Sequence, residues 1–215
     1  MAIADLLAKL VELKSQLVAN LSSMGVTADE SEKLNTLVPK VLECKTDVIW
    51  SQGTVSTEVT SVNIPNGVTS IGSLAFGGYT SLIRITVPDS VTSIGRSAFS
   101  RCTSLASITI PDSVTSIGDM AFDGCTSLVS ITIPNSVTII GRSTFNKCTS
   151  LASITIPDSV TSIGRSAFNK CTSLANIYYK GTEEQWNAIT KGSDWNLSMG
   201  SNVEGGTVIT YNYTG

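Results

Sequence analysis

The strongest constraint in this sequence is a repeat of 23 residues. Proline, glycine and phenylalanine each return at that interval over five consecutive copies, from Val59 to Ser173. The copies are marked by Pro65, Pro88, Pro111, Pro134 and Pro157, by Gly72, Gly95, Gly118, Gly141 and Gly164, and by Phe76, Phe99, Phe122, Phe145 and Phe168. Such a period is typical of a solenoid, because one short unit cannot bury its own apolar side chains and must stack on its neighbours.

Each copy predicts the same succession of local structures. LASITI at 105–110 alternates polar and apolar residues as a strand does, with both isoleucines on the buried side. Pro111 ends this strand because proline has no N–H to donate, and VTSIG at 114–118 forms a second short extended piece. DMAFDGC at 119–125 places alanine, phenylalanine and cysteine at helical spacing, a turn that plugs the coil. Stacked coils would pair their strands in parallel, about 4.8 Å apart.

Both ends of such a stack would expose apolar side chains and unpaired strand edges, so each end needs a cap. At the C-terminal end, Thr182 and Gln185 stand in the relation of a capping box at the start of a predicted helix. We expect Trp186 and Trp195 to cover the last coil, and TVITYNY at 207–213 to form a closing strand.

The N-terminal part predicts helices followed by a covering strand at 47–59. Apolar residues recur over 3–24 at alternating steps of three and four, which is the seam of a coiled coil. We expect a homo-oligomer through residues 3–24, and a helical hairpin folded on the solenoid end is the alternative.

Composition narrows the function. Charged residues make up 14% of the chain and the net charge is −3, which argues against nucleic acid as a partner. No apolar run is long enough to insert in a membrane, and the opening segment does not resemble a signal peptide, so ordinary export is not expected. The chain has no histidine, the commonest general base and zinc ligand. We predict no catalytic residue, no metal and no cofactor.

Four cysteines also follow the repeat, at positions 102, 125, 148 and 171. Three of them follow a lysine or arginine, a neighbour that lowers a thiol pKa and favours a nucleophile. Tyr79 holds the same position in the first copy, however, and Gly124 replaces the cation in the third. The pattern therefore indicates a buried ladder of reduced thiols rather than a nucleophile or a metal site.

Two sets of exposed residues are candidates for binding a partner. The outward strand face is the usual recognition surface of a curved solenoid, and its candidates are Arg84, Ser107, Ser130, Ser153, Asn176 and Tyr178. The second set varies between copies and flanks the phenylalanine: Arg96, Asp119, Arg142 and Arg165. Simple solubility is the alternative for both sets, and for the regular Ser-x-Thr array an ice-binding face is a further alternative, which Arg84 and Tyr178 interrupt.

The unit L-x-x-I-x-I-P-x-S-V-x-x-I-G-x-x-A-F-x-x-C-x-S, over 59–177, resembles the BspA-like leucine-rich repeats of bacterial surface proteins. The segment IYYKGTEEQWNAI at 177–189 is similar to the one that follows the last repeat in that family. The resemblance implies a curved leucine-rich-repeat solenoid with a non-catalytic adhesion role and fibronectin-like host proteins or other cell-surface molecules as partners. Residues 1–44 resemble, less specifically, the short helical leaders of phage and prophage tail proteins.

We therefore predict a β-rich α/β solenoid, a leucine-rich repeat with 23-residue coils preceded by an N-terminal helical segment. The expected boundaries are a helical segment at 1–44, a cap strand at 45–58, five full turns and a sixth strand at 59–177, and a C-terminal cap at 178–215. The expected function is that of a phage-tail or prophage-particle protein that binds a cell-surface protein or glycan receptor, located in the virion or an extracellular particle. The alternatives are a BspA-like adhesin on the bacterial cell surface that binds host matrix proteins, and a purely structural spacer.

Overall fold

The repeat folds as stacked coils in a computed structural model that describes residues 59–201 and 206–214. Each coil passes through a first strand, a proline turn, a second strand and a plug turn, which runs from the repeat glycine to the cysteine position. The first strands are β1 (Ser61–Asn63), β3 (Arg84–Thr86), β6 (Ser130–Thr132), β8 (Ser153–Ile156), β10 (Asn176–Tyr179) and β12 (Val208–Thr210). The second strands are β2 (Ser70–Ile71), β4 (Ser93–Ile94), β5 (Ser116–Ile117), β7 (Ile139–Ile140), β9 (Ser162–Ile163) and β11 (Thr190–Lys191), and the helix is α1 (Glu183–Ala188).

The strands pair in parallel at the repeat interval, so equivalent residues of adjacent coils lie side by side. Ser130 lies opposite Ser153 in the first-strand column, and Ser70 lies opposite Ser93 in the second. This register confirms the predicted parallel solenoid with 23-residue coils. It also places equivalent inward residues against one another, as Ile131 lies opposite Ile154 and Ile94 lies opposite Ile117.

The core is a set of apolar columns that run through all the coils. The five repeat phenylalanines form one column, with adjacent ring centroids 5.3 to 5.5 Å apart and ring planes within 3 to 11° of parallel. Phe99, Phe122, Phe145 and Phe168 are completely buried. Because each ring packs on a neighbour above and below, removal of one opens a cavity between two others.

Outside the core, polar side chains form hydrogen bonds between adjacent coils. In four of the five proline turns a serine hydroxyl donates to a valine carbonyl of the preceding coil, as Ser113 Oγ does to Val91 O at 2.7 Å; the first turn has Gly67 at this position. The same bond recurs from Ser90 and Ser159, each at 2.8 Å. The serine hydroxyl therefore gives a hydrogen-bond partner to the carbonyl of the valine that follows the preceding proline turn.

The C-terminal cap begins with the predicted capping box. The backbone N–H of Gln185 donates to Thr182 Oγ1 at 3.2 Å, and the N–H of Thr182 donates to Gln185 Oε1 at 2.8 Å. Trp186 is buried and packs edge-on to Tyr179, while Trp195 packs edge-on to Phe168 at 6.2 Å. Both tryptophans thus cover the last repeat, as the sequence predicts.

The segment after α1 follows the path of a sixth coil. Backbone N–H groups of the fifth plug turn donate to it in the same pattern as between repeats, from Ser166 to Ser193 O, from Phe168 to Trp195 O and from Lys170 to Leu197 O, although the partners are 27 residues apart instead of 22. Helix α1 takes the place of a proline turn, and Trp195 takes the place of plug residues. The closing strand β12 then pairs with β10, with Val208 opposite Asn176.

The first-strand column is interrupted at the third coil. Among the described residues, no backbone hydrogen bond joins 82–88 to 105–111, and Ser107 makes only an isolated bridge to Ser130. The sequence of 105–118 is identical to that of 151–164, where β8 pairs on both sides. The interruption is therefore a property of the neighbouring coils and not of the strand itself.

The second-strand column divides one coil later, between β5 and β7. There the carboxylate of Asp119 accepts a hydrogen bond from the backbone N–H of Arg142 at 2.7 Å. One residue earlier in other coils, the repeat glycine N–H donates to an isoleucine carbonyl, as from Gly118 to Ile94 at 2.8 Å, a bond that Gly141 does not make to Ile117. The side chain of Asp119 thus replaces part of the backbone ladder.

Three predictions fall on residues 1–58, outside the described residues: the N-terminal helical segment, the oligomer contacts of 3–24 and the covering strand. Within 59–201 and 206–214, none of the helical structure has the length and apolar character needed to cross a membrane.

Candidate functional site

The four repeat cysteines lie in the core as free thiols. Cys102, Cys125, Cys148 and Cys171 are completely buried. Each thiol donates to the phenylalanine carbonyl of the preceding coil, for example Cys125 Sγ to Phe99 O at 3.1 Å and Cys171 Sγ to Phe145 O at 3.0 Å. The cysteines therefore form a ladder that joins one plug turn to the next.

Burial also removes the reactivity that the neighbouring cations suggested. Desolvation raises the pKa of Cys102 and of Cys171 to about 12. It raises the pKa of Cys125 and Cys148 well above the ordinary value, and adjacent thiols add to that effect. Because the thiolate is the nucleophile, a thiol that stays protonated is inert. The burial and hydrogen bonds of the four cysteines confirm the predicted structural ladder. Among the described residues there is no cluster of three potential metal ligands.

The register brings most of the predicted strand-face residues into one surface. Ser107, Ser130, Ser153 and Asn176 form a row along successive first strands, and Tyr178 stands in the next row beside Thr155. Arg84 is exposed but pairs with Ser61 in a separate two-stranded sheet across the interruption. We call the continuous part of this surface, from Ser107 to Val208, the strand face.

The closing strand extends the strand face beyond the residues that the sequence singled out. Val208 is 57% exposed at the end of the first row, and Thr210 lies opposite Tyr178. The ring of Tyr213 stacks on that of Tyr178 with centroids 4.5 Å apart. The alternation of TVITYNY at 207–213 was the signal for these residues, since a seventh paired strand must continue both rows.

An open groove of about 570 Å³ lies on the strand face where the ladder is interrupted. Four hydroxyl side chains from two coils line it, and the exposed carboxylates of Asp89 and Asp112 stand at its proline-turn end. The hydroxyl residues are Ser107, Thr109, Ser130 and Thr132. The volume lies in the range of small-ligand sites, and hydroxyls both donate and accept hydrogen bonds.

The second predicted set lies on the plug turns and does not meet the strand face. Arg96, Arg142 and Arg165 occupy the position after the repeat glycine, and all three are exposed. Asp119 holds the same position in the third coil, where its carboxylate binds the backbone of the next coil. The two candidate sets therefore belong to two separate surfaces.

A neighbouring position on the plug turns has a backbone constraint that the sequence did not reveal. Its five occupants all have a positive φ: Gly78 (81°), Arg101 (61°), Gly124 (73°), Lys147 (60°) and Lys170 (61°). This left-handed region is strained for residues with a Cβ and open to glycine. The alternation of glycine with cations therefore reflects the shape of the turn, and three coils keep a long cation there despite the strain.

Comparison with known proteins agrees with this architecture. A family model described as the BspA type leucine-rich repeat region matches residues 54–175 in six copies. A T. pallidum leucine-rich repeat protein of known structure is 34% identical, with a TM-score of 0.54, and the match covers 63% of this chain and 69% of that chain. A leucine-rich repeat protein from Eubacterium ventriosum is 32% identical with a TM-score of 0.50, covering 59% of this chain and 33% of that chain. The chain thus spans about a third of the second structure, and no curated protein matches it significantly.

The family model covers more than half of the chain, and its residues are those that form the coils. Repeat proteins of this type are typically non-enzymatic binding modules, a role that suits a surface of paired strands and a core of inert thiols. The chain belongs to the BspA-type leucine-rich-repeat family.

Proposed function

We propose that this protein is a non-enzymatic adhesion module of a bacterial cell surface, which binds a surface or matrix protein through the strand face. The family match supports a surface adhesin, which was the alternative in the sequence analysis. None of the comparisons points to a phage tail, and the leader that suggested one lies outside the described residues.

The observation that carries this proposal is the continuous strand face itself. Its hydroxyl rows from Ser130 onward and the ring of Tyr178 lie on paired strands, and a backbone hydrogen bond from Tyr213 to Tyr179 holds the second tyrosine of the stacked pair. A surface fixed in this way loses little conformational entropy when it binds a partner. Tyrosine is also among the residues that contribute most to binding energy at interfaces, which makes Tyr178 the best single anchor.

A purely structural spacer does not require these features. Its outward residues need only be soluble, whereas Tyr178 places a large ring on the surface and Tyr213 holds that ring in position. Val208 adds an exposed apolar side chain at the end of the same face. Exposed aromatic and apolar side chains at one end of a hydroxyl-rich surface are more typical of a binding site than of a surface that only faces solvent.

The test uses arginine substitutions that the fold already accepts. Ser130→Arg and Ser153→Arg introduce arginine at the repeat position that Arg84 occupies in strand β3, so the strands should form as before. Ser73→Arg is the matched control, because Arg96 stands at that position in the next coil and Ser73 is exposed. Immobilised fibronectin and intact animal cells are the probes, with bound protein measured by surface plasmon resonance and by flow cytometry.

We expect the double variant S130R/S153R to bind at least about tenfold more weakly than the parent chain, and S73R to bind immobilised fibronectin as the parent does. Tyr178→Ala should show a comparable loss. Equal binding by all three variants would refute the strand face as the recognition surface. If binding instead depended on residues 1–44, deletion of that segment would abolish attachment while S130R/S153R retained it, which is the result expected of a spacer.

A further inference from the structure

The plug turns carry six exposed cations that form a basic ridge along one side of the solenoid. They occupy two positions in each of the second, fourth and fifth coils: Arg96 and Arg101, Arg142 and Lys147, and Arg165 and Lys170. Among the residues that the structure describes, none of these six side chains takes part in an ion pair or a side-chain hydrogen bond. Their charges are therefore free to meet a ligand from solvent.

The ridge is basic although the chain as a whole carries a net charge of −3. Charge is sorted around each coil, since the proline turns expose carboxylates at Asp89, Asp112 and Asp158. The plug turns are separated from those carboxylates by a strand on either side. A local field of one sign can attract an oppositely charged ligand even where net charge predicts none.

The two carboxylates within the ridge are largely engaged in the fold. Asp119 accepts a hydrogen bond from the backbone N–H of Arg142 at 2.7 Å, and Asp123 accepts one from Asn146 Nδ2 at 2.6 Å. They divide the ridge and leave its largest unbroken part in the fourth and fifth coils. There four cations lie on two coils whose stacked phenylalanines are 5.5 Å apart.

Three of the six cations occupy a left-handed position of the plug turn. Arg101, Lys147 and Lys170 adopt a positive φ that disfavours any residue with a Cβ. Gly78 and Gly124 show that glycine fits the same turn, so these cations can be replaced by glycine without a change of backbone.

We propose that the basic ridge binds a linear sulfated polysaccharide, with Arg142, Lys147, Arg165 and Lys170 as its main contacts. Arginine and lysine bind sulfate oxygens by charge-assisted hydrogen bonds, and arginine can do so with two parallel bonds. A row of cations at a regular coil spacing suits a chain that carries its anionic groups at intervals. This site is separate from the strand face, so it stands whether or not the strand face binds a protein.

Nucleic acid fits the ridge less well. Proteins that bind single strands combine a positive groove with aromatic side chains on which bases stack. The aromatic rings of the plug turns, Phe76 to Phe168 in the five repeats and Tyr79, are buried in the core. The ridge thus offers charge without a stacking surface.

The experiment exploits the strained positions. Lys147→Gly with Lys170→Gly removes two charges and places at each position a residue that suits its backbone, so the fold should be retained or stabilised. Arg84→Gln with Lys180→Gln removes the same number of charges from other surfaces and is the matched control. Affinity for heparin is measured by titration calorimetry over a range of salt concentrations, and circular dichroism with a denaturation midpoint verifies the fold.

We expect K147G/K170G to bind heparin at least about tenfold more weakly, with the slope of log affinity against log salt reduced by about two, one for each lost contact. The control should bind within about twofold of the parent chain. Equal affinity of the two variants would overturn the proposal, as would tight binding of fully desulfated heparin. Binding of an oligothymidylate as tight as that of heparin would assign the ridge to nucleic acid and would also overturn it.

Discussion

The backbone at Lys147 allows an unusual prediction, that glycine should stabilise this protein. Lys147 has φ of 60°, and the equivalent residue of the preceding coil is Gly124 at 73°. The side chain of Lys147 is exposed and makes no hydrogen bond among the described residues, so its loss removes no fold contact. Lys147→Gly should therefore raise the free energy of unfolding.

The magnitude follows from two opposing terms. A residue with a Cβ in the left-handed region is strained by about 1–2 kcal/mol. Glycine relieves this strain but gives the unfolded chain more freedom, which costs about 0.4–1 kcal/mol. The net gain is about 0.5–1 kcal/mol for each single substitution, and K147G/K170G should be more stable than either single variant.

The measurement is urea denaturation followed by far-UV circular dichroism, with Lys147→Ala as the control. Alanine removes the same charge but keeps a Cβ, so it relieves no backbone strain. We expect K147G to exceed K147A by about 1 kcal/mol and Gly124→Ala to lose a similar amount. A glycine variant that is no more stable than the alanine variant would show that residue 147 is not left-handed, which would contradict this prediction.

Three further predictions concern the core and the cap. Phe122→Ala should lower the free energy of unfolding by about 3–5 kcal/mol, because its buried ring stacks on neighbours at 5.3 and 5.5 Å; calorimetry measures this, and a loss below about 1 kcal/mol would contradict it. Burial raises the pKa of the Cys102 and Cys171 thiols from the ordinary value of 9.0 to about 12 in the folded protein. Folding therefore retains protons between those values, and stability should fall as pH rises through that window, measured by urea midpoints from about pH 8 to about pH 11; a flat profile would argue against buried thiols. Thr182→Ala should cost about 1 kcal/mol through the lost cap of α1, whereas Thr182→Ser should cost much less, and equal losses would show that the hydroxyl does not cap the helix.

The repeated part of the fold can be predicted from the sequence because each 23-residue unit contains the residue pattern of its own strands and turns. The same pattern then applies to every coil. The buried phenylalanines, the cysteine ladder and the strand rows all follow from period and alternation. The capping box at Thr182 was also visible, since it depends on two residues three positions apart. These features are local or periodic, which is the information that pattern reading can use.

Features that depend on several coils at once could not be predicted. Residues 107–110 make only an isolated bridge at Ser107, although the identical residues at 153–156 form β8, which pairs on both sides. The sixth coil was hidden because α1 interrupts the spacing. One left-handed position of the plug turn is occupied by Gly78 and Gly124 in two coils and by arginine or lysine in the other three. Because the cations outnumber the glycines, the sequence shows no glycine preference from which a positive φ could be predicted.

The constant offset of the hydrogen bonds between coils has a consequence for how such a gene can change. Cys125 donates to Phe99 O and Cys148 donates to Phe122 O, in each case to the preceding coil and at the same distance of 3.1 Å. A deletion or duplication of one 23-residue unit would therefore leave each of these thiols opposite an equivalent phenylalanine carbonyl. The stack can thus change length in whole coils and keep its cysteine ladder, while α1 and the tryptophans continue to close it.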